Sequence, residues 1–348
     1  MDSSEDIDDD AANAPESFWK RYIAVIAAQF ERRPWLLPAL SFGWGWLSFI
    51  MVRRGQSLAQ LMAILAFVGW PWLLVEPFVG KFLEKLTPGR LTRLAIDFLT
   101  QSLQQELLFF SLPFVIGATQ LDFAQLLFAA IAIGAALITT TDPVYRRLVA
   151  LRAPIKLMFH AYCSWLTALV VLPMVVHLPL ERALPVALVF VVVWFIITLP
   201  RSLRALPTRS QRALWLGLCI ALPAAIWFGR DGIPAAGLSA RDAVITQSIV
   251  DLVPGTPVTS LGRDDLQRGV IAFVAIRAPM GLKQGVIFEW RHNGRVEKIG
   301  AEIHGGRRSG YRIWSRKMNF SADAQGKWIV DVRTPQGQLL KRMRFRVN

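Results

Sequence analysis

Hydrophobic and polar positions follow two different patterns in this chain, and the change falls near Arg230. Long apolar stretches dominate up to the run Ala213–Gly229, and short alternating runs follow it. A membrane-spanning helix needs about 20 apolar residues, with a range of about 17–25. Seven stretches meet this length criterion and predict about seven spans, which are Leu36–Val52, Leu58–Val79, Leu94–Ala118, Phe123–Thr140, Ile155–Val176, Ala183–Leu199 and Ala213–Gly229.

Two segments precede the first of these stretches. Residues 1–16 are acidic and almost free of large apolar side chains, which predicts a disordered tail. In residues 17–33, Phe18, Tyr22, Ile26 and Phe30 recur at the spacing of one helical face, between basic pairs. This pattern predicts an amphipathic helix that either lies in the headgroup plane or packs on the bundle. Residues 34–229 then form the predicted transmembrane bundle.

Beyond the last apolar run, hydrophobic residues recur with the period of two that is typical of strands. Asn293-Gly294 separates two such runs and predicts a tight hairpin of type I′. The predicted strands are Ala243–Val250, Val270–Arg277, Gly285–His292, Arg295–His304, Tyr311–Met318, Lys327–Arg333 and Gln338–Val347.

Seven short strands within residues 243–348 favour an all-β sandwich of immunoglobulin type. The last strand places Met343 and Phe345 on one face and its arginines on the other. We expect Trp290, Trp314 and Trp328 to anchor the core of this domain, because large aromatic side chains dominate core burial. The predicted fold class is therefore a membrane α-helical bundle followed by an all-β immunoglobulin-like sandwich.

Lysine and arginine in short loops predict the orientation, because cytoplasmic loops carry an excess of these residues. The loops after the second, fourth and sixth stretches are basic, whereas residues 117–122 contain no Lys or Arg. The N-terminus is therefore expected in the cytoplasm and the C-terminal domain on the outer, periplasmic side of a bacterial inner membrane. Arg53-Arg54 disagrees, so either these arginines snorkel to headgroups or the first two stretches form a re-entrant pair.

Composition supports a membrane protein with a basic surface. Hydrophobic residues make up 53% of the chain, above the usual share of about 45–50% for soluble domains. The net charge is +14, and residues 230–348 contain 20 Lys and Arg against 10 Asp and Glu. Because the basic residues flank apolar stretches or follow the last one, the charge predicts a bilayer partner and no nucleic acid. The two cysteines, Cys163 and Cys219, lie in apolar runs, so no disulfide framework is expected.

An ordered set of short motifs carries a resemblance to a known family. These motifs are AFVAIRAPMGL at 272–282, FEWRHNGR at 288–295, GGRRSGYRIWSRK at 305–317, GKWIVDV at 326–332 and FRV at 345–347. They resemble the bacterial domain-of-unknown-function family 2914, and the membrane part looks like the associated family 5924. The resemblance implies an extracytoplasmic module on an inner-membrane anchor and implies no catalytic residues.

Polar residues within the third apolar stretch form one candidate site. Gln101, Gln105 and Glu106 place polar groups along one side of that helix. Ionisable groups within spans are costly and often functional, so the seam would serve an ion, a proton or a lipid headgroup. The alternative is a set of interhelical hydrogen bonds that hold the bundle together. His160 and Cys163 share a helix face but have no third ligand nearby in sequence, so neither a metal nor a cofactor is expected.

The segment GGRRSGYRIWSRK is the second candidate site. Its arginines offer forked donors for phosphate or carboxylate, its glycines allow a backbone that approaches a ligand closely, and Tyr311 and Trp314 offer a stacking face. The alternative is a turn and strand that complete the sandwich with solvated arginines, and the stripe Arg342, Arg344 and Arg346 has the same two interpretations. The candidate anion-binding residues are Arg307, Arg308, Tyr311, Arg312 and Arg316.

These observations predict a binding or scaffolding protein of the bacterial envelope rather than an enzyme. Its basic β domain would contact an anionic lipid, lipopolysaccharide, a cell-wall glycan or an envelope protein. A small transporter or lipid-handling protein that uses Glu106 is the second hypothesis. An intramembrane enzyme is the third, and no serine, histidine and aspartate arrangement with a supporting motif favours it.

Overall fold

The computed structural model describes residues 69, 71–86 and 90–348. The predicted tail at 1–16, the amphipathic helix at 17–33 and the stretch Leu36–Val52 lie outside these residues, as does most of Leu58–Val79. The described part is helical as far as residue 228 and rich in β-structure from residue 239. Its seven helices are α1 (Trp72–Leu86), α2 (Arg90–Ala118), α3 (Phe123–Thr140), α4 (Asp142–Tyr145), α5 (Ala153–Val175), α6 (Leu180–Arg204) and α7 (Arg209–Phe228).

Four of the described helices, α3, α5, α6 and α7, are long and apolar enough to cross a membrane. Helix α3 has the predicted bounds, and the other three lie within a few residues of the predicted stretches. Helix α1 is a correction, because it continues beyond the predicted end at Val79 to Leu86 in spite of Pro77. Proline cannot donate to the carbonyl oxygen four residues earlier. That oxygen belongs to Leu73, and Arg201 of α6 donates to it at 3.3 Å.

The helices differ in how much of their surface the rest of the chain covers. Helix α5 is the most enclosed, and its buried face packs with parts of α2, α3 and α6 in one hydrophobic core. Helix α3 contributes small residues, among them Ala129, Ala132 and Ala136, which allow close approach between helices. In α7 only Trp215 is buried, and most of the other apolar side chains of that helix are exposed, as lipid-facing positions are.

The β domain contains ten strands, which are β1 (Ser239–Thr246), β2 (Ile249–Val250), β3 (Val253–Pro254), β4 (Ser260–Leu261), β5 (Val270–Arg277), β6 (Lys283–His292), β7 (Arg295–His304), β8 (Tyr311–Lys317), β9 (Gly326–Arg333) and β10 (Leu339–Val347). They form a three-stranded sheet in the order β1-β5-β8, a five-stranded sheet in the order β4-β10-β9-β6-β7, and the hairpin β2-β3. Strands β1 and β8 both pair antiparallel with β5, and β10 pairs parallel with β4.

Both large sheets contribute to one hydrophobic core. Trp290 and Trp328, predicted as anchors, are 1% and 5% exposed, and Phe345 packs edge-on against the first and stacks on the second. In β10, Met343 and Phe345 face this core, as the alternation predicts. Asn293 and Gly294 both have positive φ angles, 45° and 77°, as a type I′ turn requires.

The β domain docks on the helices through buried glutamine side chains. Gln125 of α3 donates to the Leu339 carbonyl at 3.0 Å, and Gln338 donates to the Ile233 carbonyl at 3.3 Å. The Gln284 side chain accepts from the Leu180 amide, at the start of α6, at 2.8 Å. All three glutamines are less than 5% exposed. The loops between β5 and β6 and between β9 and β10 therefore form the helix-proximal end of the β domain.

Candidate functional site

The outer face of β8 carries an exposed tryptophan between two arginines. Trp314 is 43% exposed, which corrects the prediction that it anchors the core. Trp314 lies opposite Phe273, on the face turned away from the shared core, whereas Ile313 lies opposite Val274 and faces that core. Strand β8 has bulky side chains on both faces, so its sequence alone did not distinguish them. Arg312 and Arg316 share the outer face with Trp314.

Each of these two arginines uses a carbonyl oxygen as its hydrogen-bond partner. Arg312 donates through Nη1 to Leu252 at 3.2 Å, and Arg316 donates through Nη2 to Arg268 at 2.9 Å. Carbonyl groups leave the positive charge of a guanidinium uncompensated, and no carboxylate in the described part of the chain lies within ion-pair distance of either side chain. The outer face of β8 is therefore positively charged and partly apolar.

The other candidate anion-binding residues lie at the helix-proximal end of the domain. The Arg307 guanidinium lies 5.0 Å from the centre of the Tyr311 ring, and Arg308 is exposed. Tyr311 is partly buried against the core and lies opposite Ile276. The structure thus divides the five predicted residues into an outer-face pair, Arg312 and Arg316, and an end group formed by the other three.

The glycines of the segment GGRRSGYRIWSRK allow it to pack closely against other parts of the chain. A Cβ atom on Gly305 would lie 1.7 Å from the Pro279 carbonyl oxygen, and one on Gly310 would lie 3.1 Å from the backbone of Ala275. Gly310 also has a φ of 90°, which side chains disfavour. The close approach inferred from these glycines is therefore an approach to the β5 strand and the loop that follows it.

An ion-pair network that sequence reasoning missed covers the outer face of the five-stranded sheet. Asp331 has no exposed surface and accepts from Arg342 at 2.6 and 2.9 Å and from Arg333 at 3.0 Å. Arg291 lies 3.3 Å from the same carboxylate and also pairs with Glu289. Arg342 is thus a paired charge, unlike Arg344 and Arg346, which are exposed beside it. The sequence feature that could have predicted this network is that Glu289 and Asp331 occupy outward positions of β6 and β9.

Both carboxylates of this network are held in the ionised form. Burial raises the pKa of Asp331, but hydrogen bonds from Arg342 and Arg333 outweigh burial and leave the pKa below its usual value. The pKa of Glu289 is likewise lowered, because hydrogen bonds from Arg291 and Lys298 outweigh its burial. The bond to Asp331 raises the pKa of Arg342. The network therefore contributes its full electrostatic attraction at neutral pH.

The histidines of the β domain have structural contacts. His292 stacks on Trp328 with ring centres 4.3 Å apart, and its two ring nitrogens lie 3.1 and 2.8 Å from the carbonyl oxygens of Lys327 and Asp323. His304 lies 3.3 Å from Glu302. No group of three or more potential metal ligands occurs among the described residues.

The predicted polar seam of α2 lies inside the helical core. Gln101 and Gln105 are 7% and 2% exposed, and Glu106 is half-buried. Gln101 donates to the Thr139 carbonyl of α3 at 2.9 Å. One turn further along α2, Gln104 accepts from the Tyr145 hydroxyl at 2.7 Å. These two bonds link α2 to α3 and α4.

A second polar group joins the ends of α1, α5 and α6. Glu76 of α1 pairs with Lys156 of α5 at 2.7 Å and lies 3.9 Å from Arg201 of α6. Asp97 of α2 lies 3.8 Å from Lys156. The first pair is largely enclosed, since its side chains are 11% and 12% exposed. This group marks the end of the helices opposite the β domain, because it involves the start of α5 and the end of α6.

Comparison with known families covers nearly the whole chain. Residues 16–272 match the model of a family of unknown function, DUF5924, and residues 283–347 match a second family model, described as a protein of unknown function, DUF2914. No curated protein and no solved structure matches the chain. The first match ends inside β5, so the two matches divide the β domain between them. The first match covers more than half of the chain, so the chain belongs to the DUF5924 family of unknown function.

Proposed function

We propose that this chain is a membrane-anchored binding protein of the bacterial envelope. In this proposal about seven helices cross the inner membrane, and an immunoglobulin-like β domain on the periplasmic side takes an anionic ligand. The observation that carries the proposal is the outer face of β8, where Trp314 is exposed between Arg312 and Arg316. Large exposed aromatic side chains among uncompensated arginines are typical of binding surfaces.

The spacing of the two arginines favours an extended ligand. Strand residues rise about 3.3 Å each, so Arg312 and Arg316 leave the strand roughly 13 Å apart. A single headgroup does not span this distance, whereas a glycan chain with repeated carboxylates does. The indole of Trp314 between them offers an apolar surface to a sugar ring. We therefore favour a carboxylate-bearing envelope glycan as the ligand of this face.

The predicted orientation supports access to such a ligand. The end of α6 and the start of α7 carry Arg201, Arg204, Arg209 and Arg212, and basic segments between spans remain in the cytoplasm. Helix α7 then leads to the opposite side, where the β domain begins. Segment 117–122, which lies at the β-domain end of the helices, contains no lysine or arginine.

Ligand binding is tested with the full-length protein in nanodiscs and isolated peptidoglycan sacculi. We expect the Arg312→Glu/Arg316→Glu double variant and Trp314→Ala each to reduce retention on sacculi. The matched control is Arg344→Glu/Arg346→Glu, which changes the same charge on the other sheet and should retain wild-type binding. Equal losses in the two double variants would indicate bulk charge attraction, and unchanged retention in all variants would reject the proposed surface.

Sidedness is tested by cysteine labelling in a background that lacks Cys163 and Cys219. A membrane-impermeant maleimide should label a Ser321→Cys variant in intact spheroplasts. A Ser210→Cys variant, at the start of α7, should react only after the membrane is opened. The reverse pattern would place the β domain in the cytoplasm and reject a periplasmic ligand.

A further inference from the structure

The hairpin β2-β3 presents apolar side chains that the rest of the described chain covers only in part. Val250, Leu252 and Val253 are 69%, 45% and 53% exposed. The tip, Asp251-Leu252, has positive φ angles of 49° and 60°, which a bulky residue such as leucine rarely adopts. The tight turn therefore holds three hydrophobic residues outward at a cost in backbone strain.

The tip of this hairpin lies near the helix-proximal end of the β domain. The Leu252 carbonyl accepts from Arg312, and Arg312 lies opposite Ala275, near the end of β5. The chain after β5 continues into the loop that contacts the helices, since a Cβ atom on Gly281 would lie 3.0 Å from the His177 ring. His177 follows the end of α5. Leu252 thus lies toward the end of the β domain that faces the helices.

Other residues at this end complete a surface with membrane-binding chemistry. Met280, in the loop between β5 and β6, is 59% exposed, and a Cβ atom on the neighbouring Gly306 would lie 3.4 Å from its side chain. Arg307 and Arg308 follow Gly306 directly and are exposed. No carboxylate in the described residues lies within ion-pair distance of these two arginines. The tip of the hairpin β2-β3 itself contains one acidic residue, Asp251.

The same level carries the aromatic and cationic residues typical of a membrane interface. At the end of α7, the Arg230 guanidinium lies 5.2 Å from the centre of the Trp227 ring, and Phe228 is 81% exposed. At the start of α3, Phe123 is also 81% exposed. Tryptophan is enriched where the hydrocarbon core meets the headgroups, and arginine near a helix end also anchors at this interface. These residues locate the lipid headgroup layer beside the helix-proximal end of the β domain.

We propose that the hairpin tip and Met280 insert into the headgroup layer of the leaflet beneath the β domain, where Arg307 and Arg308 contact the phosphates of acidic phospholipids. This inference rests on the proposed membrane anchoring but not on the glycan ligand. Apolar side chains beside basic residues bind anionic interfaces through both burial and charge attraction. The contact fixes the β domain on the membrane at a second point, away from its glutamine contacts with the helices.

The test uses the full-length protein without its two native cysteines, in nanodiscs of phosphatidylcholine with or without phosphatidylglycerol. A Leu252→Cys variant carries an environment-sensitive fluorophore, and brominated acyl chains report its depth by quenching. The matched control is Val296→Cys, a similarly exposed valine beside the β6-β7 turn at the far end of the domain. We expect quenching at position 252, greater with phosphatidylglycerol, and no quenching at position 296.

A charge reversal separates this inference from the proposed glycan function. In the Leu252→Cys background, Arg307→Glu/Arg308→Glu should abolish the additional quenching that phosphatidylglycerol causes, while retention on sacculi persists. Absence of quenching at position 252, or equal quenching at both positions, overturns the leaflet contact, whatever the sacculus result. Quenching that the charge reversal leaves unchanged overturns the assigned phosphate contacts. Loss of sacculus binding in Trp314→Ala bears on the glycan function alone.

Discussion

Trp290 and Trp314 lie in opposite environments of the β domain, and these environments predict different costs of truncation. Trp290→Ala should lower the free energy of unfolding of the β domain by about 3–5 kcal/mol, because it leaves a cavity in the core. It also leaves Ser315, whose hydroxyl accepts from the indole at 3.0 Å, without that donor. Trp314→Ala should lower the same quantity by only about 1 kcal/mol, because Trp314 is already 43% exposed. Hydrogen exchange of β9 amides in the full-length protein measures both, and a cost at position 314 as large as that at position 290 would contradict the exposed placement.

The three tryptophans predicted as anchors show what alternation along a strand decides. Trp290 and Trp328 lie in strands whose other face carries charged residues, so their inward orientation was predictable. In β8 both faces carry bulky residues, and pairing with β5 placed Trp314 outside. Alternation therefore identified the faces of β8 but not which of them meets the second sheet.

Asp331 predicts how the stability of the β domain depends on pH. Its folded-state pKa is depressed, so its contribution is present above the unfolded pKa, near 3.9, and is lost as the pH falls through the folded-state pKa. Stability should therefore be steady near neutral pH and fall below about pH 4. Asp331→Asn should flatten this fall and cost about 3–5 kcal/mol at neutral pH, because the neutral amide leaves the charge of Arg342 uncompensated.

Hydrogen exchange across the acidic range provides this measurement. The control is Asp264→Asn, an exposed carboxyl in the segment before β5, which should leave the curve unchanged. An acid-induced loss of the same size in Asp331→Asn and in the wild type would show that other groups cause it.

At the scale of elements, Gly305 in the segment before β8 allows close packing against the loop after β5. Gly305→Ala should destabilise the β domain by about 1–3 kcal/mol, because the added methyl group meets the Pro279 carbonyl oxygen and the backbone must shift. Gly300→Ala, in the preceding strand β7, is the matched control because nothing lies within 4 Å of its new Cβ atom. Thermal unfolding of both variants tests whether Gly305 is needed for packing or only for the approach of a ligand. Equal stability of the two variants would contradict the packing role.

Short elements were harder to predict than long ones. The predicted strand Ala243–Val250 is divided in the structure, where β1 ends at Thr246 and the hairpin β2-β3 begins at Ile249. Two-residue strands carry too few positions to establish a period. Helix α3, with its uninterrupted apolar run, was predicted at both ends, since burial in lipid or in a core demands a full-length apolar surface.

At the scale of the whole molecule, polar side chains join the two parts of the chain. We expect Gln284→Ala and Gln338→Ala each to weaken docking by about 1–3 kcal/mol, because each removes the side-chain partner of a backbone group at the interface. Faster hydrogen exchange in residues 229–238 and at the start of α6 would report this loss. Gln267→Ala, at an exposed glutamine, should leave both regions unchanged, and an equal change there would argue against specific docking.

The two family matches both contribute strands to the β domain. The first match includes β1 and the beginning of β5, and the second includes β6 to β10. Strand β8 pairs with β5, so the three-stranded sheet needs residues from both matches. The β domain is therefore a joint product of the two matched regions.

Within the described residues, the sequence by itself determined where helices give way to strands, the helical stretches, most strands and the tight turn at Asn293-Gly294. These features depend on local periodicity and on residues that only certain backbone angles accept. The tertiary structure alone decided that Trp314 is exposed, that Arg342 is paired, and that glutamines attach the β domain to the helices. Each of these features depends on which distant segment lies opposite a side chain, and strand pairing and domain docking decide which segment that is. The physical reason is that burial and charge compensation arise between elements rather than within them.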